Sequence, residues 1–145
     1  MTLRCDAEFY GKLNRPKMKI TVTSVMVNDQ AKALKFYTEL LGFQKKRDIP
    51  LGDDSWLTVV SSEQPDGVEL LLEPAKFEPS RVYQKALFDA DIPCMIFSVD
   101  NIQKEYERLS GLGIKFSMQP TQMGIASLAV FDDTCGNKIQ IAQTL

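Results

Sequence analysis

Residues 19–27 read KITVTSVMV, a stretch rich in β-branched side chains that predicts an extended strand. Asn28 or Asp29 can cap a helix behind it. Within DQAKALKFYTELLG, Ala33, Leu34, Tyr37, Leu40 and Leu41 recur on one helical face, and Gly42 supplies the stop. Three further extended segments follow, at residues 43–49, 55–61 and 68–73, separated by the turn-forming runs PLGDD and EQPDG. The order is β-α-β-β-β.

The same order then recurs. Residues 94–99 form a short apolar strand, and DNIQKEYERLSGLG is a helix with Ile102, Tyr106 and Leu109 on one face. Residues 115–118, 125–131 and 138–142 supply three more extended segments. Val27-Asn28-Asp29 aligns with Val99-Asp100-Asn101 at an offset of 72 residues. The predicted layout is a first module at 18–73, a connection at 74–93 with a short helix around 82–88, and a second module at 94–145. Residues 1–17 stand outside the repeat as an N-terminal extension, an arm that could pack on a partner.

Composition narrows the function. The chain has 145 residues, 44% hydrophobic and 25% charged, as expected of one globular domain. Its net charge of −2 and scattered cations argue against a nucleic-acid partner. No apolar run reaches the length of a membrane span, and the N-terminus lacks the apolar core of a secretion signal, so a cytoplasmic location is expected. Three widely spaced cysteines suit a reducing compartment. The chain contains no His, which excludes Ser-His-Asp and Cys-His catalysis within it and removes the commonest transition-metal ligand.

VNDQAKALKFYTELLGF near one end and VFDDTCGNKIQIAQ near the other, set in paired β-α-β-β-β modules, resemble the vicinal oxygen chelate superfamily of glyoxalase I, extradiol dioxygenases and bleomycin resistance proteins. The resemblance implies an α+β fold whose strands curl into a cup, usually completed by a second subunit, so a homodimer is expected. It also implies four metal-ligand positions, which fall on Val22, Glu69, Cys94 and Gln140.

Those residues make a poor ligand set. Val22 has no lone pair, Gln140 offers a neutral amide oxygen, Cys94 a soft thiol, and only Glu69 a carboxylate. No cofactor is therefore expected, with a divalent metal kept as the alternative. Glu69 is the candidate general base or acid, its pKa raised if the cup desolvates it, unless it pairs with an Arg or Lys or with Gln140. Cys94 reads as a small core residue, and Cys135, in the DTCGN turn, as more exposed. Strand parity adds Trp56, Met26, Leu71 and Phe131 as apolar ligand-facing groups. The expected function is metal-free binding of a small organic molecule through these groups, Glu69 and Gln140. The alternative is a lyase, isomerase or dioxygenase that uses Glu69 as base or metal ligand.

Overall fold

The computed structural model describes residues 17–144, so all but the last residue of the N-terminal extension lies outside the described residues. The chain runs β1 (Val22–Val27), α1 (Gln30–Lys35), a π-helical turn (Phe36–Leu40), β2 (Gln44–Leu51), β3 (Asp54–Val60), β4 (Glu69–Pro74), α2 (Glu78–Asp89), β5 (Met95–Ser98), α3 (Ile102–Gly111), β6 (Phe116–Met123), β7 (Ala126–Asp132) and β8 (Lys138–Thr144). The strands make two four-stranded mixed sheets, ordered β1-β4-β3-β2 and β5-β8-β7-β6. In each, the first and last strands of the module pair in parallel at one end and the rest is antiparallel. The fold is α+β, with identical connectivity in the two halves.

Both helices of the repeat, α1 and α3, start with the same device. Asp29 accepts from the Lys32 backbone N–H at 2.9 Å, and Asn101 accepts from that of Lys104 at 2.9 Å. Each cap satisfies a donor that the first helical turn would otherwise leave unpaired, worth about 1 kcal/mol. After α1 the winding widens, so that the Leu41 N–H donates to the Phe36 carbonyl at 3.2 Å. This brings both Phe36 and Tyr37 into the core, although they are adjacent in sequence.

Several elements differ from the sequence expectation, and prolines explain most of the difference. β2 extends through Pro50 to Leu51 and turns only at Gly52-Asp53, with Gly52 at a φ of +62°. Pro50 is tolerated because β2 is an edge strand and its missing N–H is not needed by a neighbour. β6 continues past Pro120 for the same reason, on an edge where its register against β7 slips. α2 begins at Glu78, well before residue 82, because Pro79 lies in the first turn, where no backbone donor is required.

One core serves both halves. Val25, Val27, Leu57, Val59, Leu70 and Leu72 from the first sheet join Ala129, Phe131, Ile139 and Ile141 from the second, with Phe36, Tyr37, Ile102 and Leu109 from the helices. Burial of each large side chain contributes roughly 1.5–3 kcal/mol. Strand alternation then fixes the rest: the residues between these point to the other face of each sheet, away from the shared core.

Candidate functional site

On the outer face of the first sheet, register brings several candidates together. Val22 lies beside Glu69, Leu71 lies between Ser24 and Thr58, Thr58 is opposite Arg47, and Trp56 is opposite Ile49. Directly paired residues share a face, so Val22, Glu69, Leu71 and Trp56 form one surface with Thr58 and Arg47. Leu71 and Thr58 are buried, while Trp56 is half-buried and Val22 exposed.

Glu69 is the centre of this surface. Arg47 Nε donates to its two carboxylate oxygens at 2.9 and 3.2 Å, and Thr58 Oγ1 donates to Oε2 at 2.7 Å. Its side chain is only 10% exposed. Desolvation alone would raise its pKa, but the hydrogen bonds from Thr58 and Arg47, with the charges of Arg47 and Lys46, outweigh it and hold the carboxyl below its ordinary range. Of the two readings of Glu69, a carboxyl raised by desolvation or one paired with a cation or with Gln140, the structure has the paired one, with Arg47 rather than Gln140 as the partner. Neither Arg47 nor Thr58 was singled out in the sequence. The signal was present as KKR inside an otherwise strand-like run, but the pairing spans 22 residues and needs the register to be seen.

Gln140 sits on the outer face of the second sheet, opposite the buried Ile139 and Ile141 and beside Ile96 and Val130. It is half-buried, and its side chain makes no hydrogen bond among the described residues. The two modules are not matched atom for atom here. Val22 is the direct neighbour of Glu69, whereas the neighbour of Gln140 is Ile96, two residues beyond Cys94.

Phe131 is a correction. Its partner across β7 and β8 is Ile139, so it belongs to the core face, fully buried against Phe36 and Phe116. Val130, the partner of Gln140, takes the outward place. Met26 and Cys94 separate from the other candidates as well. They line a cavity of about 350 Å³ with Tyr83, Gln84 and Leu87 of α2. Cys94 lies just before β5, its N–H donating to the Lys138 carbonyl at 3.0 Å. The residue as a whole is exposed, yet desolvation of its sulfur, with the Asp133 charge, pushes the thiol up to about 11. That leaves little thiolate for nucleophilic attack at neutral pH.

Cys135, expected to be exposed, is fully buried, and its thiol is pushed up to about 12 by desolvation and by Asp133. The DTCGN loop is a junction rather than a simple turn. Asp133 is buried and accepts from Tyr37 Oη at 2.8 Å, from Asn137 Nδ2 at 2.7 Å and from the backbone N–H groups of Cys135 and Asn137 at 2.8 and 2.9 Å. Asn137 also donates to the Met26 carbonyl at 2.7 Å, tying the second module to β1 of the first. Gly136 has a φ of +104°, a conformation that favours glycine, and a Cβ there would lie 2.7 Å from the Gln84 amide of α2, displacing it from its bonds to the Met26 and Cys135 carbonyls and Asn137 Oδ1.

The family model described as Glyoxalase/Bleomycin resistance protein/Dioxygenase superfamily matches residues 19–141, nearly the whole of the two modules. The chain belongs to that superfamily. YurT, an uncharacterized protein of Bacillus subtilis (strain 168), is 54% identical over 126 residues, covering 87% of this chain and 99% of its own. The crystal structure of UcmS2 matches with a TM-score of 0.74 at 29% identity, over 87% of this chain and 98% of its own. TnmS3, described as an antibiotic binding protein from Streptomyces sp. CB03234, matches with a TM-score of 0.67 at 23% identity, over 88% of this chain and 97% of its own; that is a likeness of fold.

The superfamily resemblance implies a divalent ion at Val22, Glu69, Cys94 and Gln140, and the donors present do not fit one. Val22 offers no donor, the Glu69 oxygens already accept three hydrogen bonds, and the Cys94 thiol is held protonated. The chain keeps the two-sheet scaffold and carries Glu69, Thr58 and Arg47 as a hydrogen-bonded group on the outer face of the first sheet.

Proposed function

We propose that the chain is a metal-free small-molecule binding protein of the superfamily, acting as a homodimer in which a second copy completes each cup. The observation that carries this reading is the state of Glu69: the one carboxylate at a superfamily ligand position is bound to Arg47 and Thr58. It serves better as a fixed part of a recognition surface than as a metal ligand or a proton carrier, because its lowered pKa keeps it ionised and three hydrogen bonds already engage both of its oxygens. Trp56, Val22 and Leu71 supply apolar contact beside it, and Gln140 supplies an amide on the second sheet. The antibiotic-binding description of TnmS3 is in keeping with an organic ligand. Exposed Val22, Ile49 and Leu51 on the first sheet and Ile96 on the second give a second copy apolar surface to cover.

The test combines metal analysis of purified protein with a thermal-shift screen against antibiotics and metabolites. Expected are substoichiometric divalent metal, stabilisation by at least one organic compound without added metal, and loss of that stabilisation in Trp56→Ala. A stoichiometric ion that disappears in Glu69→Gln would overturn the reading in favour of a metal-dependent lyase, isomerase or dioxygenase.

A further inference from the structure

Arg47 has more hydrogen-bonding capacity than the structure uses. A guanidinium carries five N–H donors in a rigid plane. Only Nε is engaged, with both oxygens of Glu69, and among the described residues neither terminal nitrogen has an acceptor. The head group is therefore held from one edge while its opposite edge, with two parallel donors, is free. Half of the side chain is open, at 52% exposure against 10% for Glu69.

Its support is rigid as well. Glu69 is fixed from β3 by Thr58, which is itself fully buried under the Arg47 side chain's side of the sheet. Trp56 and Ile49 lie one pair further along the same face, and Leu71 lies beside Thr58, so apolar side chains share the face with Arg47. Two cations act on the single carboxylate, since Lys46 also contributes to the field at Glu69. The counter-charge of Lys46, Asp66, stands almost wholly in solvent. The two cations are matched in number by Glu69 and Asp66, so the attraction for a ligand is local to the unused donors of Arg47, and a planar pair of acceptor oxygens with one negative charge matches their fork.

We propose that Arg47 is the specificity-determining residue of the first sheet's surface, and that it takes the carboxylate of an apolar or aromatic organic acid. Glu69 and Thr58 are positioning residues that set the plane of the guanidinium. This inference rests on the ligand-cup reading above and adds the class of ligand.

The chain has a single tryptophan, and Trp56 fluorescence reports the site directly. Benzoate and 1-naphthoate are titrated against the wild-type chain beside their neutral amides, benzamide and 1-naphthamide. Saturable quenching is expected for the acids, with affinities at least about tenfold above those of the amides, the scale of one charge-assisted hydrogen bond. Arg47→Gln is expected to bring the ratio of acid to amide affinity to about one, and Arg47→Lys to restore only part of the advantage, because an ammonium lacks the planar fork. Since Arg47→Gln leaves Glu69 short of a donor, the double variant Arg47→Gln/Glu69→Gln is measured beside it, with the same outcome expected. Amides that bind as tightly as the acids, or acid binding unchanged in both variants, would overturn the role of Arg47 while the ligand-cup reading stands. Silence of Trp56 toward every acid, in a chain that the thermal-shift screen still shows to bind organic compounds, would also overturn it. A chain that binds nothing in either assay removes both.

Discussion

The outer faces of the two sheets have the same strand order and opposite chemistry. On the first, a buried carboxylate, a buried hydroxyl and a half-exposed guanidinium are linked by hydrogen bonds. On the second, the corresponding region holds Ile96, Val130 and a Gln140 whose amide is unbonded among the described residues. Duplication explains the shared backbone and says nothing about the side chains. The difference teaches that a hydrogen-bonded charged cluster can be built on one half of a duplicated scaffold without a counterpart on the other. It also locates the joint between them at Asp133, the acceptor for donors from both halves.

The sharpest way to break this arrangement is to remove the joint. Asp133→Ala leaves Tyr37 Oη, Asn137 Nδ2 and two backbone N–H groups without their acceptor in a buried site. A loss of about 3–5 kcal/mol is expected, read as a lower midpoint in urea denaturation. A loss under about 1 kcal/mol would mean that Asp133 is not the joint, and that the apolar core and the remaining cross-module bonds, such as Asn137 to the Met26 carbonyl, hold the two sheets together.

Thr58→Val tests the charged half by itself. It removes one hydrogen bond to an ionised, buried carboxylate, and about 1.5–3 kcal/mol of destabilisation is expected at pH 7. The sign of its pH dependence follows from the direction of the Glu69 shift. A carboxyl whose folded pKa lies below its ordinary 4.5 stabilises the fold above that value and loses the contribution as pH falls through the folded pKa. The gap between wild type and Thr58→Val should therefore narrow below pH 4.5, in paired urea titrations at pH 7 and pH 3. A gap of equal size at both would show that the hydroxyl acts through packing.

Gln140→Leu is the matching change on the other face and should do least. With a half-buried amide that has no side-chain partner among the described residues, a change within about 0.5 kcal/mol is expected in the same assay. A loss comparable to that of Thr58→Val would erase the asymmetry between the two halves.

Most of the architecture was legible in the sequence because it rests on local signals. Asp29 and Asn101 mark the helix starts, Gly42 ends the first helix, and the apolar run in ELLLE and the alternation in KIQIA mark the last strand of each module. What escaped depended on register. Parity alone put Phe131 on the outer face, and one residue of displacement in the pairing of β7 with β8 reverses it. Arg47 escaped because its meaning comes from Thr58 and Glu69, on two strands that follow it. Asp133 escaped because a turn with two aspartates and a glycine satisfies ordinary turn chemistry, and only Tyr37, far away in sequence, gives it another purpose.

The π-helical turn at Phe36–Leu40 has a consequence for how this chain can vary. Such a turn holds one residue more than an ordinary helical turn. Deleting a single residue there would restore regular winding with the flanks still in phase, because the wide turn absorbs the extra residue locally. What would be lost is room for two adjacent aromatic side chains on the core side, where Phe36 meets Phe131 and Tyr37 reaches Asp133. At this point the count of residues sets how many anchors the helix gives the core, so a one-residue deletion should cost more than a substitution at an exposed position of the turn.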